Sequence, residues 1–76
     1  MNSDSAELKA SLGRVLKSIR NKQGLSQATV SKDAEISRTY LAEVEGGDVN
    51  LTIETVLKIC VALNVRPSVL FKKAGF

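Results

Sequence analysis

The chain has no histidine and no tryptophan, and only one cysteine, one proline, one tyrosine and two phenylalanines among its 76 residues. Each shortage removes a class of chemistry. Without histidine there is no imidazole general base and no histidine-ligated metal. A single cysteine forms neither an internal disulfide nor a thiolate zinc cluster, and it fits a reducing compartment. No nucleophile–base pair and no glycine-rich phosphate loop appears in the sequence. The expectation is therefore a protein that is not an enzyme and needs no cofactor, metal or small-molecule ligand. No apolar run approaches the ~20 residues of a membrane span. The opening MNSDSAELK lacks the basic start and apolar run of a signal peptide, so the expected location is cytoplasmic.

What is present is aliphatic and weakly basic. Eleven Lys and Arg against eight Asp and Glu leave a net charge of +3, which permits nucleic-acid binding without demanding it. Scarce proline and aromatics, with glycines near expected helix boundaries apart from Gly13, favour an all-α domain over a sheet protein. A chain this short buries a modest share of its surface and is marginally stable alone, so self-association would help it.

The whole of 1–76 reads as one domain. Residues 1–4 are expected to be a flexible start, with Asp4 capping a first helix and Glu7 three residues on. Leu8, Leu12, Val15, Leu16 and Ile19 then recur at helical spacing and form one apolar stripe. Lys9, Arg14, Lys17, Arg20 and Lys22 occupy the remaining surface, either as a solvated face or, at Lys17 and Lys22, as an edge turned to phosphate. Gly24 ends this helix and Leu25 closes over its end. Thr52 is placed to cap a fourth helix containing Ile53, Val56, Leu57, Ile59, Cys60, Val61 and Leu63. So wide an apolar surface predicts deep burial, with one side free for a partner. Cys60 reads as a packing residue. Asn64 suits a left-handed helix end, and Pro67 opens a short fifth helix through Phe71, followed by a tail to Phe76.

The stretch Ser26 to Glu45, SQATVSKDAEISRTYLAEVE, reads as two short helices, 27–34 and 38–45, joined by a tight turn. Ser26 and Ser37 are suited to accept from free N–H groups of an opening helical turn. Val30, Ala34, Ile36, Leu41 and Val44 can meet, which leaves Arg38, Thr39, Ala42 and Glu43 facing away. A short helix with an exposed N-terminus and polar face is what a reader of the DNA major groove requires.

The ordered set Ile19-Arg20, Gly24-Leu25-Ser26-Gln27, Ile36-Ser37-Arg38-Thr39-Tyr40-Leu41 and Val44-Glu45-Gly46-Gly47 resembles the Cro/C1-type (lambda-repressor-like) helix-turn-helix family. Ile59, Ala62-Leu63-Asn64-Val65 and Leu70-Phe71 match its later helices, so the likeness runs from about Leu12 to Phe71. The Arg38-Thr39-Tyr40 triplet and Asn50-Leu51-Thr52-Ile53 also look like controller proteins of restriction–modification systems. Two positions depart from the family pattern: Glu35 stands where the turn usually carries glycine, and Thr29 where helix 2 usually carries an acid.

The resemblance implies a compact five-helix domain that regulates transcription on double-stranded DNA in a bacterial or phage setting, associated with the nucleoid. Arg38 presents a planar fork suited to guanine O6 and N7, or a plain phosphate contact. Thr39 suits a phosphate or a thymine methyl. Glu43 either accepts from cytosine N4 or is a solvated acid, and Ala42 is small enough to allow close approach. Gln27 resembles the family residue that bonds phosphate from a helix N-terminus. Ser37, Tyr40, Lys17 and Lys22 are further phosphate candidates, while Lys32 and Arg66 read as phosphate contacts or, in preference, as ordinary surface charges. Arg20 and Glu45 correspond to a family ion pair tying helix 1 to helix 3. Proteins of this fold commonly bind as two-fold dimers on half-sites about 34 Å apart. The expectation is thus a homodimer on an inverted-repeat operator, with Val65, Val69, Phe71, Phe76 and the outer side of helix 4 as interface candidates and RNA polymerase as a further candidate partner. The same fold also serves antitoxin-like or adaptor modules that bind protein, which is the alternative reading.

Overall fold

Three hydroxyl caps divide the chain. Ser26, Ser37 and Thr52 sit in extended backbone and accept the N–H of Thr29, Tyr40 and Thr55, each at 3.0 Å. Each bond satisfies an opening N–H that has no intrahelical acceptor. The computed structural model describes residues 2–76, with side-chain surroundings from Ser5 onward. Five helices result: α1 Asn2–Lys22, α2 Gln27–Ala34, α3 Arg38–Glu45, α4 Ile53–Leu63 and α5 Pro67–Lys73.

The C-terminal ends share one device. The N–H of Leu25, Ile36, Asp48, Val65 and Phe76 returns to the carbonyl five residues back, at 2.8–3.1 Å. These are Schellman closures, which need a left-handed residue just before the returning N–H. That residue is glycine after α1, α3 and α5, Asn64 after α4 (φ 54°), and Glu35 after α2 (φ 59°). The turn inside the helix-turn-helix therefore keeps the usual geometry and carries the strain of a side chain there, about 1 kcal/mol.

Two boundaries differ from the sequence expectation. The first helix starts at Asn2, so Asp4 lies inside it and does not cap it. The first N–H groups of a helix need no intrahelical acceptor, so polar residues can add an opening turn. Of the expected flexible start over residues 1–4, Asn2 to Asp4 are helical and Met1 lies outside the described residues. The fifth helix runs on to Lys73, because Gly75 (φ 94°) supplies the left-handed stop further along.

All five helices feed one core. Leu12 and Leu16 from α1, Val30 and Ala34 from α2, Leu41 and Val44 from α3, Val56, Ile59, Cys60 and Leu63 from α4, and Leu70 from α5 are buried together. Burying a side chain of this kind stabilises by roughly 1.5–3 kcal/mol. Helix α2 packs mainly on α4, and α1 packs on α3 and α5. Burial also raises the pKa of the Cys60 thiol, which keeps it protonated and inert.

Gly13 lies in mid-α1, where glycine costs about 1 kcal/mol relative to alanine. Its position is explained by the crossing with α3. A Cβ there would overlap Val44 O and lie 2.8 Å from Glu45 O, both rigid backbone atoms. Close approach at Gly13 brings the end of α3 against α1.

Two substitutions test these readings by thermal unfolding. Gly13→Ala, stabilising by helix propensity alone, is expected to destabilise by about 1–3 kcal/mol through overpacking; an unchanged or raised Tm would contradict the close crossing. Glu35→Gly is expected to stabilise by about 1 kcal/mol and raise Tm by roughly 4–8 °C; a lowered Tm would show that Glu35 makes compensating interactions.

Candidate nucleic-acid interface

The C-terminal end of α3 is held by a buried ionic cluster. Arg20 Nε donates to Glu45 Oε2 at 2.7 Å and Arg20 Nη2 to Glu45 Oε1 at 3.0 Å, a two-point pairing. Arg20 Nη1 donates to Leu25 O at 2.9 Å, which ties the same side chain to the loop after α1. Gln27 Nε2 adds a third donor to Glu45, on Oε1 at 3.0 Å. Both charged residues are buried. The hydrogen bond to Glu45 raises the Arg20 pKa above its ordinary value, outweighing the opposing effect of burial. The cluster joins α1, the loop before α2, the start of α2 and the end of α3. It also masks a carboxylate that would otherwise repel phosphate.

With Leu41 and Val44 buried and Glu45 held, the outer side of α3 is fixed. Arg38, Thr39, Ala42 and Glu43 are all exposed on it. Ser37 accepts from Tyr40 N–H, and its own hydroxyl proton remains able to donate outward. The Tyr40 ring packs against the core and its hydroxyl donates to Asn50 O at 3.3 Å. Asn50 Oδ1 in turn accepts from Lys9 Nζ at 3.2 Å. Tyr40 thus links the start of α3 to the loop before α4.

Beside α3 runs a cationic edge of α1. Lys17 and Lys22 are exposed and border a shallow cleft with Arg14, Asn21 and Glu45. Sequence reasoning named the two lysines for phosphate but did not assign Arg14 or Asn21 to that edge. Their spacing from Lys17, three and four residues, was the available signal. Gln27, expected to meet phosphate, has one amide hydrogen committed to Glu45; its other amide hydrogen and the opening N–H groups of α2 remain available. Thr29, the departure from the capping pattern, accepts from the Ser26 hydroxyl at 3.0 Å through its own Oγ1.

The expected interface residues separate into two groups. Val65 and Phe71 are half-buried against the core, whereas Val69 and Phe76 are exposed. The most exposed large apolar side chains among the described residues lie on α4, at Ile53 and Val61. No helix is long and apolar enough to cross a membrane, and no group of metal-ligating side chains occurs among the described residues.

A helix-turn-helix family model matches residues 16–70. The chain is 32% identical over 56 residues to control protein C.BamHI of Bacillus amyloliquefaciens, covering 72% of this chain and 69% of that protein. It is 38% identical over 64 residues to the transcriptional regulator ClgR of Mycobacterium tuberculosis, covering 84% of this chain but only 57% of ClgR. Its fold matches the restriction–modification controller protein C.Esp1396I, solved as a tetramer with its natural 35-base-pair operator. The TM-score there is 0.82, at 30% identity and 88% coverage of both chains. The chain belongs to the Cro/C1-type helix-turn-helix family of DNA-binding transcriptional regulators.

The buried cluster sets the expected cost of breaking it. Arg20→Ala strands the Glu45 carboxylate and is expected to destabilise by about 3–5 kcal/mol. A thermal unfolding midpoint unchanged by that substitution would show that the pair does not hold α3.

Proposed function

We propose that this protein controls transcription as a homodimer on an inverted-repeat operator, with α3 in the major groove, in the manner of a restriction–modification controller. The observation that carries this reading is the outer side of α3. Four exposed side chains face away from a helix whose inner side and C-terminal carboxylate are fully engaged. Arg38 reads guanine, Thr39 meets a thymine methyl or phosphate, Glu43 accepts from cytosine and Ala42 permits close approach. Gln27, Ser37, Lys17 and Lys22 position the duplex through phosphate, and Tyr40 joins them by turning its hydroxyl from Asn50 O to the duplex. The kinship with C.BamHI and C.Esp1396I supports the controller reading. In this reading the protein acts by where it sits on the operator, by blocking RNA polymerase or by touching it.

Binding to the protein's own promoter fragment and to a scrambled fragment, compared at fixed salt, tests this. The promoter is expected to bind more tightly, and affinity for both fragments to fall steeply with salt. Arg38→Ala should cost about 1–3 kcal/mol on the promoter and relax specificity, whereas Lys17→Ala should weaken both fragments alike and lower the salt slope by about one. A promoter-to-scrambled ratio near one would overturn sequence-specific regulation and favour a protein-binding module.

A further inference from the structure

Helix α4 turns a row of aliphatic side chains to solvent. Ile53 is 80% exposed, Leu57 45% and Val61 79%. Their four-residue spacing puts them on one side of the helix, in a row about 12 Å long. Isolated exposed leucines are ordinary, but a contiguous apolar row marks a contact surface. The row adjoins an apolar cleft of about 550 Å³ whose walls include Leu8, Leu51 and Phe71. Along its other border stand Glu54 and Lys58, one residue after Ile53 and Leu57, with neither in a salt bridge among the described residues.

We propose that this row is where two copies of the chain meet, with α4 antiparallel to the partner's α4. The inference rests on the homodimer reading and names its surface. The charge pattern selects the occupant and the direction. A two-fold axis lying in the interface at Leu57 sets Leu57 against the partner's Leu57 and Ile53 against the partner's Val61. The same axis brings the border carrying Glu54 and Lys58 against its own copy, running the other way. Glu54 then lies about 3 Å along the helix axis from the partner's Lys58, within reach of the lysine stem, and the reciprocal pair forms at the other end. The row thus meets an apolar row along its length, with a Glu54–Lys58 pair at each end, beside Asp33 of α2 and Glu35 just after it.

Sedimentation equilibrium of the full chain without DNA tests the proposal, with circular dichroism confirming that each variant remains helical. Val61→Asp and Leu57→Asp are each expected to raise the dimer dissociation constant at least tenfold. Glu54→Lys and Lys58→Glu should each weaken the dimer by roughly threefold to tenfold, and the double exchange Glu54→Lys with Lys58→Glu should restore it. A dimer that survives Val61→Asp and Leu57→Asp but is lost on Val69→Asp or Phe76→Ser would overturn this surface and leave the homodimer reading standing. Additive weakening in the double exchange would overturn the antiparallel register. A wild-type chain that stays monomeric at high concentration and binds operator as one copy per site would overturn the homodimer reading itself.

Discussion

The Arg20–Glu45 pairing is the interaction on which the placement of the two helix-turn-helix helices depends. Two eight-residue helices, α2 and α3, are too short to be stable alone in water. Their positions must come from tertiary contacts. Leu41 and Val44 give α3 an inner side, but apolar packing leaves freedom to rotate or slide. The two-point hydrogen bonding of a planar guanidinium to a carboxylate removes that freedom at one end of the helix. The remaining donor of Arg20 on Leu25 O, and Gln27 on the same carboxylate, extend the restraint to the start of α2. The start of α2 and the outer side of α3 are thus held by one cluster.

That cluster requires α1 and α3 to cross closely, and the crossing sits at Gly13. Any larger residue would push the carbonyls of Val44 and Glu45 outward and draw Glu45 away from Arg20. The glycine therefore gives up helix propensity to keep the ion pair short. Glu35 illustrates the opposite case. There the chain accepts a left-handed glutamate, because the Schellman closure Ile36 N–H to Ser31 O needs that backbone shape whatever the side chain.

Much of this was legible in the sequence because it depends on local chemistry. Ser26, Ser37 and Thr52 announce helix starts, Asn64 announces an end, and the spacing of Leu12, Leu16, Val30, Ala34, Leu41 and Val44 announces the core. The ion pair was legible only through the family resemblance, since Arg20 and Glu45 stand 25 residues apart. What stayed hidden depends on which elements cross. Nothing near Gly13 in sequence reveals that α3 passes over it. The commitment of Gln27 to Glu45 and of Tyr40 to Asn50 joins side chains whose meeting depends on helix packing. In α4 the stretch Ile53 to Leu63 is apolar nearly all round, so periodicity could not separate the core side from the exposed row.

That ambiguity has a physical origin. A helix that packs on a core along one side and on a partner along the other must be apolar on both, which erases the usual contrast. Val56, Ile59, Cys60 and Leu63 are buried, while Ile53 and Val61 are almost fully exposed, although both sets are aliphatic or sulfur-bearing. A small domain gains little from leaving such side chains in water, and it has little core to spare. The same residues that make α4 unreadable as a surface helix are the ones a second copy would bury. In a two-fold assembly built on them, each copy's buried ion pair would fix its own α3, and the α4 contact would fix the distance between the two. Recognition would then rest on two separate restraints, one inside each copy and one between them.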